Sequence, residues 1–169
     1  ALGHQHTDRT LVQLMYQENA KKLGKVLATI NPALQHEIIS LGTLETMMRV
    51  HEALKQGAMI GILADRTLQQ THLKKQSFLG EEAAFSESAF RLAAILRKPV
   101  LLMLGVYLGG NQYRLLFEEV YDFSKMQQEQ AQAVTTARER YVDLLAKYCQ
   151  EYPYNWFNFY DFWQTPCKE

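Results

Sequence analysis

The sequence predicts an α/β fold: a mainly parallel central sheet flanked by helices, followed by a C-terminal β-hairpin, a long helix and an aromatic tail. Three observations predict it. Short apolar, β-branched runs alternate with stretches of helical period through the first half of the chain. Two apolar runs flank Gly109-Gly110-Asn111, which is hairpin punctuation. Between about residues 125 and 151, Val134, Ala137, Tyr141, Leu144, Leu145 and Tyr148 recur at helical spacing.

Taken in order, "TLVQLMY" (10–16) mixes β-branched and apolar residues and reads as a strand. In "QENAKKLGKVLATIN" (17–31), Ala20, Leu23, Val26, Leu27 and Ile30 fall on one helical face, which Asn31-Pro32 ends. "HEIISLG" (36–42) is a second short strand. Thr43 stands at an N-cap position, with Thr46 where a capping-box acid would sit. Leu44, Met47, Met48, His51 and Leu54 then recur up to Gly57, a C-terminal stop, which makes His51 a core histidine. "AMIGILA" (58–64) is apolar throughout, as expected of a strand buried on both faces. A polar loop is expected over about 65–86, and then a helix "AFRLAAILRK", capped by Ser88 and ended before Pro99. "VLLMLGVYL" and "QYRLLFEEV" form the hairpin. The tail "YPYNWFNFYDFW" is expected to pack into the core, where Asn155 and Asp161 need polar partners.

At 169 residues the chain is expected to form a single domain, 1–169. Eighteen basic and eighteen acidic residues cancel, so net charge gives no electrostatic case for nucleic acid. Cys149 and Cys167 lie in no metal-ligand or redox spacing. No apolar run is long enough to span a bilayer. The opening "ALGHQH" has no Met, and the chain is expected to be an N-terminally truncated fragment.

Candidate chemistry gathers after the strand at 58–64. In open α/β sheets, ligands bind beyond the C-terminal strand ends. Asp65 and Arg66 stand at such an end. An arginine there can fork onto phosphate or carboxylate, while the plainer reading is a turn that closes the strand. His72, Lys74 and Lys75 add basic character that suits an anionic head group or a phosphopantetheine carrier, or simply a solvated loop. "FLGEEAAFSES" (78–88) places Phe85 and Glu87 just before a helix start, with Arg91 one turn on from Glu87. No H-E-x-x-H, G-x-S-x-G or G-x-x-x-x-G-K occurs, and no metal site is expected.

Together "GILADR" (61–66), "FLGEEAAFSESAFRLAAILRKPVLLM" (78–103), "YRLLFEEV" (113–120) and "YNWFNFYDFW" (154–163) resemble the lysophospholipid acyltransferase superfamily, in particular its bacterial late lipid A acyltransferase branch. The resemblance covers about residues 10–163. It implies fatty acyl transfer from an acyl carrier protein or CoA thioester to a hydroxyl of a lipid or glycolipid, with no other cofactor. It also implies a peripheral or anchored location at the cytoplasmic face of the inner membrane. The family's catalytic pair is H-x-x-x-x-D or E, histidine as base and acid as its orienter. None of the five histidines has an acid five residues on, and His4 to Asp8 is one residue short. The resemblance therefore places the pair just before Ala1, and no catalytic residue is named. It implies substrate-binding roles for Asp65, Arg66, Phe85, Glu87 and Arg91. "FSES" (85–88) stands where many members have F-P-x-G, with serines in place of the proline and glycine. Two further readings are a non-catalytic lipid or acyl-carrier module of the same fold, and an unrelated α/β domain for a phosphorylated small molecule.

Overall fold

The computed structural model describes residues 10–15, 37–41, 44–64, 72–158 and 162–163. Residue contacts divide the chain into two compact units, Ala1–Leu63 and Ala64–Glu169.

In the first unit, β1 (Leu11–Met15), β2 (Glu37–Ser40) and β3 (Met59–Ile62) form a parallel ladder in the order β2-β1-β3. Central β1 buries Val12, Leu14 and Met15, as a strand flanked on both edges should. Helix α1 (Leu44–Lys55) makes the crossover from β2 to β3 that parallel pairing requires. Its end is a glycine stop as expected: Gly57 takes φ 83°, with Ala58 N–H donating to Ala53 O at 3.0 Å and Gly57 N–H to Leu54 O at 3.2 Å.

Two expectations for this unit need correction. The buried face of α1 is Thr46, Val50 and Ala53, while Met47, Met48 and His51 are exposed. The Thr46 hydroxyl donates to Ser40 O at 2.6 Å, which ties the helix to the end of β2 and fixes its rotation. Small and β-branched side chains then face inward, so His51 is a surface histidine. Strand β3 is an edge of the described ladder, with Met59 40% exposed and Leu63, just past its end, 66% exposed, and is not buried on both faces. The helix expected over 17–31 and the cap at Thr43 lie outside the described residues.

The second unit opens with a hairpin where a polar loop was expected. Strands β4 (Leu73–Phe78) and β5 (Glu81–Ser86) pair antiparallel around Leu79-Gly80, which take φ 55° and 97°. Two consecutive positive φ values give the turn whose twist suits a two-residue hairpin. The period is two: Gln76, Phe78, Ala83 and Phe85 share the inward face, while Lys75 and Glu82 on the other face and exposed Lys74 and Glu81 at the ends of this one make the segment look like a loop. Helix α2 (Ser88–Ile95) follows, with Glu87 rather than Ser88 at its N-cap and no side-chain cap. Strands β6 (Pro99–Gly109) and β7 (Gln112–Asp122) form the expected hairpin about Gly109-Gly110. A single 3-10 turn, Phe123–Lys125, delays the start of the long helix α3 to Gln130–Glu151, because the Asp122 carboxylate accepts from Ser124 N–H and holds the turn. The described strands thus make one parallel ladder and two antiparallel hairpins, not one mainly parallel central sheet.

All six residues expected on the inner face of α3 are buried. They pack with Phe90, Phe123 and an aromatic knot in which Phe78 meets Trp156, Phe162 and Trp163 at centroid distances of 5.4, 5.4 and 6.4 Å. Tail packing therefore holds for these rings, while Tyr154 and Phe157 are exposed. Asn155 finds its polar partners on β6: its side-chain oxygen accepts from Tyr107 N–H at 2.6 Å and its amide donates to Tyr107 O at 3.2 Å. Asp161 and Cys167 lie outside the described residues. Cys149 is half-buried, and burial pushes its thiol up to about 11, so it is an unreactive packing residue.

Between β7 and α3, the Tyr148 hydroxyl donates to the Glu118 carboxylate, and Lys147 Nζ lies 3.7 Å from the same group. The Tyr148 bond, with smaller help from Lys147 and Arg140, lowers the pKa of Glu118. The phenol is raised to about 12 and stays a donor throughout the neutral range. A carboxylate lowered by folding stabilises above its unfolded pKa and loses that contribution as pH falls through the folded one. Unfolding midpoints of wild type should therefore fall more steeply than those of Glu118→Gln between about pH 5 and pH 3. Parallel curves would contradict this pairing.

Candidate functional site

The junction of β5 and α2 gathers the described candidate residues. The antiparallel register places Phe85 inward, 2% exposed, with its ring 5.5 Å from Phe78 and 5.6 Å from Phe162. Two residues later the chain turns into α2. Glu87 N–H donates to His72 O at 3.0 Å, closing the hairpin base, and Glu87 O accepts the first helical bond from Arg91 N–H at 2.9 Å. Ser86 and Ser88 flank it: Ser88 N–H donates to Ser86 Oγ at 3.2 Å, and the two hydroxyls lie 3.0 Å apart. This serine turn occupies the place where proline and glycine were noted as missing.

The Glu87 side chain is 3% exposed. Burying a carboxylate is costly unless it is paired, and here two arginines share it. Arg91 Nη2 donates to Oε2 at 3.0 Å from one turn along α2. Arg138 of α3 brings Nε to 3.3 Å from Oε1. Arg138 is itself held, donating through Nη1 to Gln76 Oε1 at 2.6 Å, while Gln76 donates back to Glu139 O at 3.4 Å. The carboxylate thus joins α2 to α3, and Arg138 carries the link on to Gln76 of β4.

Sequence reasoning missed Arg138 and Gln76. The available signal was a charged residue on an apolar helical face: Arg138 sits one turn from both Val134 and Val142, which are buried. An arginine at such a position needs a buried anion, and Glu87 is that anion. The i,i+4 pairing of Glu87 with Arg91 was legible.

The two arginines are placed differently. The Arg138 side chain is 8% exposed and structural, whereas that of Arg91 is 45% exposed. Arg91 therefore has one edge fixed on Glu87 and the other free to meet solvent or a ligand. Arg138 Nη2 also lies 3.6 Å from the Glu139 carboxylate, so two guanidiniums meet two carboxylates, and it is the exposed edge of Arg91, not an excess of charge, that can meet an anion. The basic loop residues do not add to it as a single patch. Lys74 and Lys75 point to opposite faces of the β4–β5 hairpin, and Lys75 Nζ lies 3.9 Å from Glu82. His72 is exposed at the hairpin base. Asp65 and Arg66, and also His4 and His6, lie outside the described residues. Among the described residues no group of three His, Cys, Asp or Glu is placed to hold a metal ion, and no helix is long and apolar enough to cross a membrane.

A model of the family described as bacterial lipid A biosynthesis acyltransferase matches residues 2–165. The search of curated proteins finds no match.

Proposed function

The chain belongs to the bacterial lipid A biosynthesis acyltransferase family, and on that basis we propose that it serves the transfer of a fatty acyl group from an acyl carrier protein or CoA thioester to a hydroxyl of a lipid or glycolipid. The acceptor oxygen attacks the thioester carbonyl carbon and the carbon–sulfur bond breaks. The hydroxyl proton passes to a general base and then to the departing carrier thiol. This work takes place at the cytoplasmic face of the inner membrane.

Within this reading Arg91 is the contact for an anionic acceptor head group. The observation that carries it is the division of labour on Glu87: a buried carboxylate fixes one edge of Arg91 and leaves the guanidinium 45% exposed. A planar fork so held loses less freedom when it closes on phosphate or carboxylate. Glu87 is then a positioning residue, and Phe85 supports the junction from the core side. Asp65 and Arg66 keep their place as further head-group contacts.

In the full-length protein, Arg91→Ala is expected to raise KM for the acceptor about tenfold or more with a smaller change in kcat, the pattern of a lost charge-assisted binding contact. Unchanged kinetics would remove Arg91 from the site. A second reading is a module of the same fold that binds lipid or acyl carrier without chemistry. It expects saturable binding with no turnover.

A further inference from the structure

A carboxylate at a helix N-terminus is drawn to that helix's unmatched N–H groups. Glu87 stands at the N-cap of α2, with φ −88° and ψ −3°, and makes no side-chain bond to the helix it begins. The Ser88 N–H is satisfied instead by Ser86 Oγ at 3.2 Å. Both Glu87 oxygens are directed elsewhere, Oε2 to Arg91 of the same helix and Oε1 to Arg138 of α3. An i,i+4 pair on an open helix surface holds a long side chain only loosely. The pair here is fixed because its carboxylate is buried, and the group over the other oxygen is Arg138.

Arg138 reaches Glu87 from a set position. Its Nη1 donates to Gln76 Oε1 at 2.6 Å, and its Nη2 lies 3.6 Å from the Glu139 carboxylate. Nε, 3.3 Å from Glu87 Oε1, finds no aligned hydrogen-bond partner, so its hold on Glu87 is that of charge at short range in a buried place. Of the two cations on this carboxylate, Arg138 at 8% exposed is screened less than Arg91 at 45%.

We propose that Arg138, anchored by Gln76, is a positioning residue for the acceptor site: it keeps the Glu87 carboxylate turned from its own helix, so that Oε2 presents Arg91 to the head group. Arg138 acts through Glu87 and Arg91 and needs no contact with the acceptor. The inference rests on the reading of Arg91 as the head-group contact. Without Arg138 the carboxylate is shared between Arg91 and the N–H groups of α2, and the Arg91 guanidinium is held for only part of the time. Acceptor affinity then falls, while the chemical step keeps its groups.

The test is a cycle of acceptor kinetics in the full-length protein with Arg91→Ala, Arg138→Met and the two together. Arg138→Met is expected to raise acceptor KM about threefold to fivefold with kcat nearly unchanged, and to add nothing to KM once Arg91 is replaced. An equal rise in both backgrounds would overturn the proposal, since an arginine that only supports the fold weakens both alike. So would a wild-type KM in Arg138→Met. In either case a raised KM in Arg91→Ala leaves the acceptor role of Arg91 standing and removes this inference alone. An unchanged KM in Arg91→Ala overturns that reading and this inference with it. Should Arg138→Met not fold, Gln76→Leu takes its place, since it removes the anchor of Arg138 at a half-exposed position and keeps the charge. KM should then rise about twofold with Arg91 present and stay level in the Arg91→Ala background. A rise of one size in both backgrounds, or none in either, would overturn the proposal.

Discussion

Phe78→Ala is expected to cost about 4 kcal/mol of stability. Phe78 is 1% exposed, and its ring touches those of Phe85, Trp156, Phe162 and Trp163. These partners come from β5 and from the tail, so one ring joins segments remote in sequence. Truncation removes the transfer free energy of a buried phenyl and leaves a cavity whose walls are rigid aromatics that collapse poorly. For a chain of this size the loss corresponds to a melting temperature lower by about 12 °C. Phe157→Ala is the control: Phe157 is 63% exposed, and its loss should change stability by about 0.5 kcal/mol or less. Equal effects from the two variants would mean that the tail does not pack on the β4–β5 hairpin.

Arg138→Met is expected to cost about 3 kcal/mol, because it leaves Glu87 buried with one of its two cations gone and Gln76 without its donor. Arg91 limits the damage but is half-exposed, so solvent screens what it returns. The informative comparison is the double variant Glu87→Met with Arg138→Met. Replacing a buried pair by apolar side chains of similar volume costs far less than breaking it. The double variant should be more stable than Arg138→Met alone, with a coupling of about 1 kcal/mol or more. Simple additivity in denaturant unfolding would show that the two side chains do not interact. Catalytically the double variant should resemble Arg91→Ala, since Arg91 loses its fixed end.

How legible this was depended on the kind of signal. The long helix α3, the hairpin about Gly109-Gly110 and the glycine stop at Gly57 were all readable, because each is set by local periodicity or by backbone conformation that few residues supply. The β4–β5 hairpin was not: Lys75 and Glu82 take the outer face, and Lys74 and Glu81 stand exposed at the two ends of the inner one, so together they hide a period-two pattern carried by Gln76, Phe78, Ala83 and Phe85. The rotation of α1 was misjudged because bulk was weighed over shape. Met47 and Met48 offered more apolar surface than Thr46 and Ala53, yet the bond from Thr46 to Ser40 O decides the inward face. At the site, Glu87 with Arg91 was readable as an i,i+4 pair within one helix. Arg138 was not, because its contact with Glu87 spans about fifty residues and is visible only once α3 is packed.

The central claim is acyl transfer to a lipid hydroxyl, and the most direct measurement is product formation. The full-length protein would be incubated with an acyl carrier protein or CoA thioester and a glycolipid acceptor. The ester would be followed by mass spectrometry and the released thiol counted in parallel. The account predicts a new acyl ester with one thiol released per ester formed. Saturable binding of the acceptor without either product would contradict it and leave the binding-module reading in its place.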